Sequence, residues 1–210
     1  MSRARTRPAP APEAEPIPDA SIPKLRRAAR GCRRCPLWEH ATQTVFGEGP
    51  EETTTLMIGE QPGAREDESG HPFVGPSGQM LDRALAELGV DRASIYVTNV
   101  VKHFKFEQRG KVRLHKRANA AEQAACRYWL MAELQRVRPT RIVCLGGMAA
   151  QAIFGRSFRL LAQRGRWFDL GDGRRAMATV HPSYLLRVPD ADRQAAYSAF
   201  VRDLRLLKGK

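Results

Sequence analysis

The sequence predicts an α/β protein with a mainly parallel sheet that is covered by helices on both faces. Four short apolar patterns typical of buried strands alternate along the chain with patterns of helical periodicity. This alternation favours parallel strands joined by helical crossovers. The chain has 210 residues, of which 42% are hydrophobic, which is enough for one well-buried core and short for two. We therefore expect one domain.

The first 22 residues are expected to form no regular structure. They are rich in Pro, Ala and Glu, a composition that buries little apolar area and favours extended, solvated backbone. The predicted domain covers residues 23–210. It begins with a short helix that starts near Pro23, ends at Gly31 and leads into a tight C-x2-C turn at Cys32 and Cys35.

The first strand pattern, TTLMIG, ends in a sharp reversal at GEQPG, and a loop is expected through ARED to HPFVGPSG. A helix follows from Pro76, with Leu81 and Leu85 on its apolar face and Gly89 as its end. After the second strand pattern, IYVTNVV, a long helix has Asn119 as N-cap and Glu122 as its capping-box partner. The remaining predicted elements are strand 141–145, short helix 146–154, hairpin 166–170 with 175–180, and terminal helix 190–207.

The charge of the chain predicts a polyanionic partner. The formal net charge is +13 and the pI is near 10.3, and the three Arg of the N-terminal tail are balanced by three acidic residues. The basic excess therefore belongs to the part that folds, which favours DNA or RNA as partner. Nothing in the sequence resembles a signal peptide or a membrane span, so we expect a cytoplasmic, nucleoid-associated monomer with no membrane contact.

The segment 102–117, KHFKFEQRGKVRLHKR, is the most basic stretch of the chain, with seven Lys or Arg against one Glu. Such a block is usually a solvated loop. Two His and two Phe lie within it, and these neutral rings indicate that bases or a cofactor are bound there as well. The segment follows a predicted strand, where ligands bind in open α/β sheets.

Polar residues follow three of the predicted strands. They are Glu60 with Gln61, then Asn99, and finally His181. The carboxyl ends of parallel strands meet at one edge of a sheet, so these residues are expected to converge there. Taken singly, each would more often be structural: Asn99 would cap a strand end, and His181 would be a turn residue before Pro182.

These motifs together resemble the uracil-DNA glycosylase superfamily, specifically its iron–sulfur family 4 branch. The resemblance rests on GEQPG with ED and HPFVGPSG, on VTNVVK and on HPSYLLR, and it covers residues 24–210. Within that branch the chain is most similar to the UdgX type. Its first turn is GEQPG where ordinary members have GEAPG, and KVRLH resembles the signature KRRIH, from which Val112 and Leu114 depart.

The resemblance implies a three-layer α/β/α sandwich around a four-stranded mainly parallel sheet, and the excision of uracil from DNA, a step of base-excision repair. This reaction passes through an oxocarbenium-like sugar and a uracil anion. Phe73 is the candidate stacking face, Asn99 would pair with the uracil edge, and His181 would donate to the uracil oxygen. Gln61 and the backbone around Gly63 would help to hold the base.

The resemblance places His115 at the signature histidine, where it would attack C1′ once uracil departs and join the protein to DNA. Reversal would expel imidazolate, a very poor leaving group, so turnover would stop. Glu60 would accept a proton from His115 or orient it. Two alternatives remain: an ordinary turning-over family 4 glycosylase in which His115 contacts a phosphate, and a non-catalytic nucleic-acid-binding protein.

A [4Fe-4S] cluster is also implied, with Cys32, Cys35, His103 and Cys126 as expected ligands. His103 stands where most family members have Cys. Cys144 lies inside the apolar strand RIVCL, where it is expected to be a small buried side chain. Zinc would accept the same set of three Cys and one His, so the sequence leaves the metal open.

The basic residues near the site are expected to contact the DNA backbone. The candidates are Lys102, Lys111, Arg113, Lys116, Arg117 and Arg187. A flipped base is easier to take from a single strand, because no pairing energy opposes its extrusion. We therefore expect uracil-containing single-stranded DNA to be the preferred partner.

Overall fold

A computed structural model describes residues 18–208. The prediction of an unstructured tail falls largely on residues 1–17, which lie outside the described residues. The first helix, α1, covers Ile22–Ala29 and begins one residue before the predicted start. A 3-10 turn at Pro36–Glu39 follows the C-x2-C motif.

The main sheet has five strands in the order β2-β1-β5-β7-β6. These are β1 (Thr55–Gly59), β2 (Tyr96–Asn99), β5 (Arg141–Leu145), β6 (Phe168–Asp169) and β7 (Arg175–Thr179). The first four in the sheet order are parallel, which confirms the predicted mainly parallel sheet. The predicted strand count is corrected, because the short β6 pairs antiparallel with β7 and adds a fifth strand at the edge.

Helices cover both faces of this sheet. They are α2 (Ala64–Ser69), α3 (Pro76–Glu87), α4 (Ala120–Val137), α5 (Gly147–Phe154), α6 (Leu160–Gln163), α7 (Pro182–Leu185) and α8 (Asp190–Leu204). On β1, Leu56 and Ile58 pack in a core with α1, α4 and α5, whereas Met57 packs in the opposite core with α3 and α8. The alternation of side chains along a strand therefore builds two cores and confirms the three layers.

Two segments differ from their predictions as loops. Residues 64–69 form α2, because the Glu66 carboxylate accepts a hydrogen bond of 3.1 Å from the backbone N–H of the N-cap Gly63, and Gly70 ends the helix in the left-handed conformation. The basic segment forms a hairpin of β3 (Phe106–Arg109) and β4 (Val112–His115) that turns at Gly110, where φ is +57°. Its high charge concealed the strand alternation in the sequence.

None of the helices within residues 18–208 is long and apolar enough to cross a lipid bilayer.

Candidate active site

A cavity of about 790 Å³ opens at the carboxyl edge of the parallel strands. Residues from four strand ends and from the tip of β4 line it. The predicted site residues among them are Glu60, Gln61, Gly63, Phe73, Asn99, His115, His181 and Arg187. The volume is within the range of small-molecule pockets, and the predicted convergence of polar strand ends is confirmed.

The carboxylate of Glu60 is held between two strand ends. Its Oε1 accepts a hydrogen bond of 3.0 Å from the backbone N–H of Met148 in the first turn of α5. Gly146, after β5, has φ +99°, and a Cβ there would lie 2.5 Å from Glu60 Oε1 and 3.0 Å from His181 Cβ. Only glycine therefore suits position 146. Gly146 is not among the predicted site residues, although a glycine directly after a buried strand is a signal of close backbone approach.

The hydrogen bonds of His181 define which ring nitrogen carries the proton. His181 is the N-cap of α7, and its Nδ1 accepts from the backbone N–H of Ser183 at 3.1 Å. Because a backbone N–H can only donate, the neutral ring carries its proton on Nε2. Burial lowers the pKa of His181 to about 4, while the Glu60 carboxylate opposes this shift. At neutral pH the residue is an uncharged N–H donor.

The side chains of Phe73 and Asn99 both lie against Gly59. Gly59 ends β1 in register with Asn99 at the end of β2. A Cβ on Gly59 would overlap Asn99 Oδ1 and lie 2.6 Å from the Phe73 ring. Phe73 has a φ of +59°, a conformation that costs an aromatic residue about 1–2 kcal/mol and that is typical of ligand sites. Its ring lies 6.3 Å from that of His181, with 29° between the planes, so the two rings form adjoining walls.

His115 is the last residue of β4, and the hairpin carries it to the rim of the same cavity. Its ring packs against Phe104, with the centroids 5.9 Å apart. His115 is exposed at the rim; partial desolvation there lowers its pKa, the Glu60 carboxylate raises it, and Arg187 lowers it. The imidazole is therefore neutral near pH 7 and shares one electrostatic environment with Glu60.

Arg113 anchors this hairpin to α2. It donates to Asp67 at 2.7 Å and to Glu68 at 2.5 Å. Its guanidinium also lies over the rings of Phe104 and Phe106, at 5.5 and 5.4 Å. These contacts balance the charge of Arg113 within the protein and hold β4 in place, and its contact with DNA stays a prediction.

Gln61 and Gly63, which are predicted to contact the base, also make hydrogen bonds within the protein. Gln61 is buried; its side-chain oxygen accepts from the N–H of Ala118 at 2.7 Å, and its nitrogen donates to the carbonyl of Lys116 at 2.9 Å. Both ends of the amide are therefore engaged. The N–H of Gly63 donates to Glu66 Oε2 at 3.1 Å, and Glu66 also accepts from Gly75 at 2.7 Å. Both residues line the cavity, and their contact with the base stays a prediction.

Lys102 cannot contact DNA, which corrects that prediction. Its side chain is fully buried, and Nζ lies 2.5 Å from the buried carboxylate of Glu133. Lys116 is exposed and lies 2.6 Å from Glu107. Lys111 and Arg117 are exposed, and Arg187 is exposed at the cavity mouth. These three residues and Lys116 remain predicted phosphate contacts.

Three of the predicted cluster ligands are thiols in one electrostatic neighbourhood. Cys126 Sγ accepts from the backbone N–H of Lys102 at 3.1 Å, and Trp129 donates to Cys32 Sγ at 3.1 Å. The pKa of Cys126 is raised to about 12, chiefly by burial; the ammonium and the backbone N–H of Lys102 oppose this shift, while Cys35 and Cys32 contribute to it. Burial also raises the pKa of Cys35. Thiolates at these positions would therefore need a bound cation.

His103 presents a nitrogen suited to a metal. Its Nε2 lies 2.9 Å from the hydroxyl oxygen of Thr44, and that hydroxyl donates its only proton to the carbonyl of Ala29 at 2.9 Å. Nε2 is therefore the protonated nitrogen, and Nδ1 keeps a free lone pair. Nδ1 is buried and has no hydrogen-bond partner in the part of the chain that the structure describes, an arrangement that suits a ligand atom.

The donor set of Cys32, Cys35, His103 and Cys126 fits an iron–sulfur cluster in its chemistry. Across residues 18–208, no group of three or more His, Cys, Asp or Glu side chains is arranged to hold a single metal ion. Cys144 is fully buried within β5, as expected for a structural side chain. The cluster itself stays a prediction.

The fold and the cavity define an α/β protein that presents a carboxylate, two neutral imidazoles and an aromatic wall at the carboxyl edge of its sheet. The chain belongs to the uracil DNA glycosylase superfamily, whose family profile matches residues 46–205. It is 38% identical over 157 residues to the type-4 uracil-DNA glycosylase of Thermotoga maritima, covering 74% of this chain and 78% of that protein. It is 34% identical over 201 residues to the type-4 uracil-DNA glycosylase of Pyrobaculum aerophilum, covering 90% of this chain and 93% of that protein.

Proposed function

We propose that this protein is a uracil-DNA glycosylase that binds a flipped uracil nucleotide in the cavity and cleaves its N-glycosidic bond. Membership of the superfamily and similarity to two type-4 enzymes support this function. The observation that carries it is His181, a neutral imidazole with its proton on Nε2, placed beside the ring of Phe73 and in the same cavity as Asn99. An uncharged donor in a buried site stabilises an oxyanion as it forms.

The reaction breaks the bond between C1′ of the sugar and N1 of uracil. The electron pair leaves with the base, which becomes an anion, while the sugar becomes an oxocarbenium ion. His181 donates from Nε2 to the uracil oxygen where charge develops. Phe73 stacks on the base, and the Asn99 amide pairs with its edge. The Glu60 carboxylate, oriented by Met148, faces the developing cation.

Two fates of the sugar cation follow. In a turning-over enzyme, water adds to C1′, Glu60 accepts its proton, and an abasic site is released. Similarity to type-4 glycosylases supports this course. In the UdgX-like alternative, a ring nitrogen of His115 forms a bond to C1′, and the other ring nitrogen then loses its proton to Glu60. The location of a neutral His115 in the same cavity as Glu60 supports this second course.

Denaturing electrophoresis with a uracil-containing single-stranded oligonucleotide distinguishes these fates. The wild-type protein and His115→Ser are compared, with a thymine oligonucleotide as control and free uracil quantified in parallel. Uracil release shows glycosylase function. A heat- and detergent-resistant band in the wild-type protein alone shows covalent capture, whereas many uracils released per protein without a band shows turnover. Binding with no uracil release by either protein would leave a nucleic-acid-binding protein without this activity.

The proposal includes a [4Fe-4S] cluster held by Cys32, Cys35, His103 and Cys126. When bound, the cluster supplies structural cross-linking, because it joins the C-x2-C turn to the residues that flank the hairpin. Single-stranded DNA is the proposed preferred substrate. Equal rates on single-stranded and duplex uracil DNA at one salt concentration would contradict this preference.

A further inference from the structure

A buried ion pair lies behind the candidate base-binding residue Asn99. Lys102 and Glu133 have no exposed side-chain surface, and Lys102 Nζ lies 2.5 Å from Glu133 Oε2. The ammonium also donates to Thr98 Oγ1 at 2.6 Å and to the carbonyl oxygen of Asn99 at 2.7 Å. All three N–H groups of the ammonium therefore have acceptors.

The acceptor side of the pair is equally well connected. Glu133 Oε1 accepts from the N–H of Gly47 at 2.8 Å and from the hydroxyl of Tyr96 at 3.1 Å, and Thr98 donates to both carboxylate oxygens. A buried ion pair is weak evidence for stability, because desolvation offsets its attraction. An ion pair in which every donor and acceptor is hydrogen-bonded does fix the positions of its residues, since any displacement leaves a buried charge without a partner.

The ion pair is connected to the candidate site through the backbone carbonyl of Asn99. The side chain of Asn99 faces the cavity, and its carbonyl is bound by the ammonium three residues later. The two residues after Asn99 are also hydrogen-bonded to the end of β1. The backbone N–H of Val100 donates to the carbonyl oxygen of Gly59, and that of Val101 donates to the carbonyl oxygen of Glu60, each at 3.0 Å. Lys102 therefore closes a turn that presents Asn99 and Glu60 together.

We propose that Lys102, paired with Glu133, is a positioning residue that fixes the Asn99 peptide so that its side-chain amide meets the uracil edge. This inference rests on the proposed function, in which Asn99 recognises uracil. The pair is remote from solvent and touches no substrate. It acts through Asn99, and its loss weakens base recognition without weakening contact with the DNA backbone.

The test uses the full-length protein with the double substitution Lys102→Met and Glu133→Gln, which removes both charges and keeps the side-chain volumes close. Leu134→Ala on the same helix is the matched control, because it removes buried apolar contact without touching the ion-pair network. Three quantities are measured on folded protein: the affinity for free uracil by NMR titration, the single-turnover rate of uracil release at saturating protein, and the affinity for a uracil-free single-stranded oligonucleotide.

We expect the double variant to lose uracil affinity and single-turnover rate, each on the order of tenfold, as a small misplacement of a recognition group does. Oligonucleotide affinity should match the wild type, and Leu134→Ala should keep all three values. Rate and uracil affinity within twofold of wild type would overturn the proposal. If the double variant does not fold, Thr98→Val, which removes one acceptor of the ammonium, takes its place with the same criterion. A wild-type protein that neither binds nor releases uracil would instead overturn the proposed function, and this inference with it.

Discussion

Gln61 donates from its side-chain amide to the carbonyl oxygen of Lys116 at 2.9 Å. Gln61 directly follows Glu60 in the turn after β1, and Lys116 directly follows His115 at the end of β4. The two segments belong to different sheets. This hydrogen bond, together with the contacts of Arg113 to α2, therefore holds the end of β4 against the turn that carries Glu60.

Substitution Gln61→Ala should destabilise the protein and slow uracil release. It leaves the buried N–H of Ala118 without its 2.7 Å acceptor, which costs about 1–3 kcal/mol of unfolding free energy. Urea denaturation and single-turnover kinetics measure the two effects. Gln61→Glu is the matched variant, because its carboxylate still accepts from Ala118 but cannot donate to Lys116. Wild-type behaviour of both variants would show that this bridge has no role.

Gly59→Ala should fold but lose uracil excision. Gly59 has a backbone conformation open to any residue, yet its Cβ would overlap Asn99 Oδ1 and come within 2.6 Å of the Phe73 ring. The clash therefore falls on the two groups proposed to hold the base. Gly31→Ala is the control, because a Cβ there meets nothing within 4 Å. Circular dichroism and uracil release test the pair, and an active Gly59→Ala would contradict this account of the base pocket.

Arg187→Ala should weaken binding to single-stranded DNA and lower the slope of log affinity against log salt by about one, the effect of one phosphate contact. Arg187 is exposed at the cavity mouth. Arg174→Ala should leave the slope unchanged, because Arg174 pairs with Asp172 at the opposite edge of the sheet. Fluorescence anisotropy with a uracil-free oligonucleotide provides the measurement. Equal slopes for all three proteins would exclude Arg187 as a phosphate contact.

Protein stability should fall as pH drops from about 6.5 to about 4, in part through His181. Its pKa is about 4 in the folded protein because the ring is buried, whereas an unfolded histidine titrates near 6.5. Between these values the unfolded chain binds the extra proton, so acidification favours unfolding by on the order of 2–3 kcal/mol. Urea denaturation at pH 7 and pH 4.5 should show a smaller loss for His181→Asn. An identical loss in both proteins would contradict this assignment.

Cys126→Ala should lower the iron and sulfide content of the purified protein and remove its brown colour. The thiol of Cys126 is buried, with the charges of Cys32 and Cys35 nearby. Cys144→Ala is the control, because Cys144 is equally buried but lies inside β5. Elemental analysis distinguishes the cluster from zinc. A wild-type protein that carries zinc and no sulfide would contradict the iron–sulfur prediction.

Local sequence patterns predicted most elements of the fold. The capping box of Asn119 and Glu122 begins α4 as expected, with their two hydrogen bonds at 2.9 and 2.7 Å, because a cap depends only on residues three apart. Helix α2 escapes these patterns because it has only six residues and its N-cap, Gly63, has no side chain to signal a helix start. The hairpin of β3 and β4 was missed because charged side chains occupy positions on both strands.

Local patterns in the sequence account for most of the elements, for the parallel sheet and for the strand ends at which Glu60, Asn99 and His181 meet. These properties follow from periodicity and from residues adjacent in the chain. The roles of Lys102 and Gln61, by contrast, depend on residues that only the fold brings near them. Both resemble ligand contacts in the sequence, but their partners Glu133 and Lys116 lie 31 and 55 residues away. A buried polar side chain must find a partner wherever the fold supplies one, and no local pattern encodes that distance.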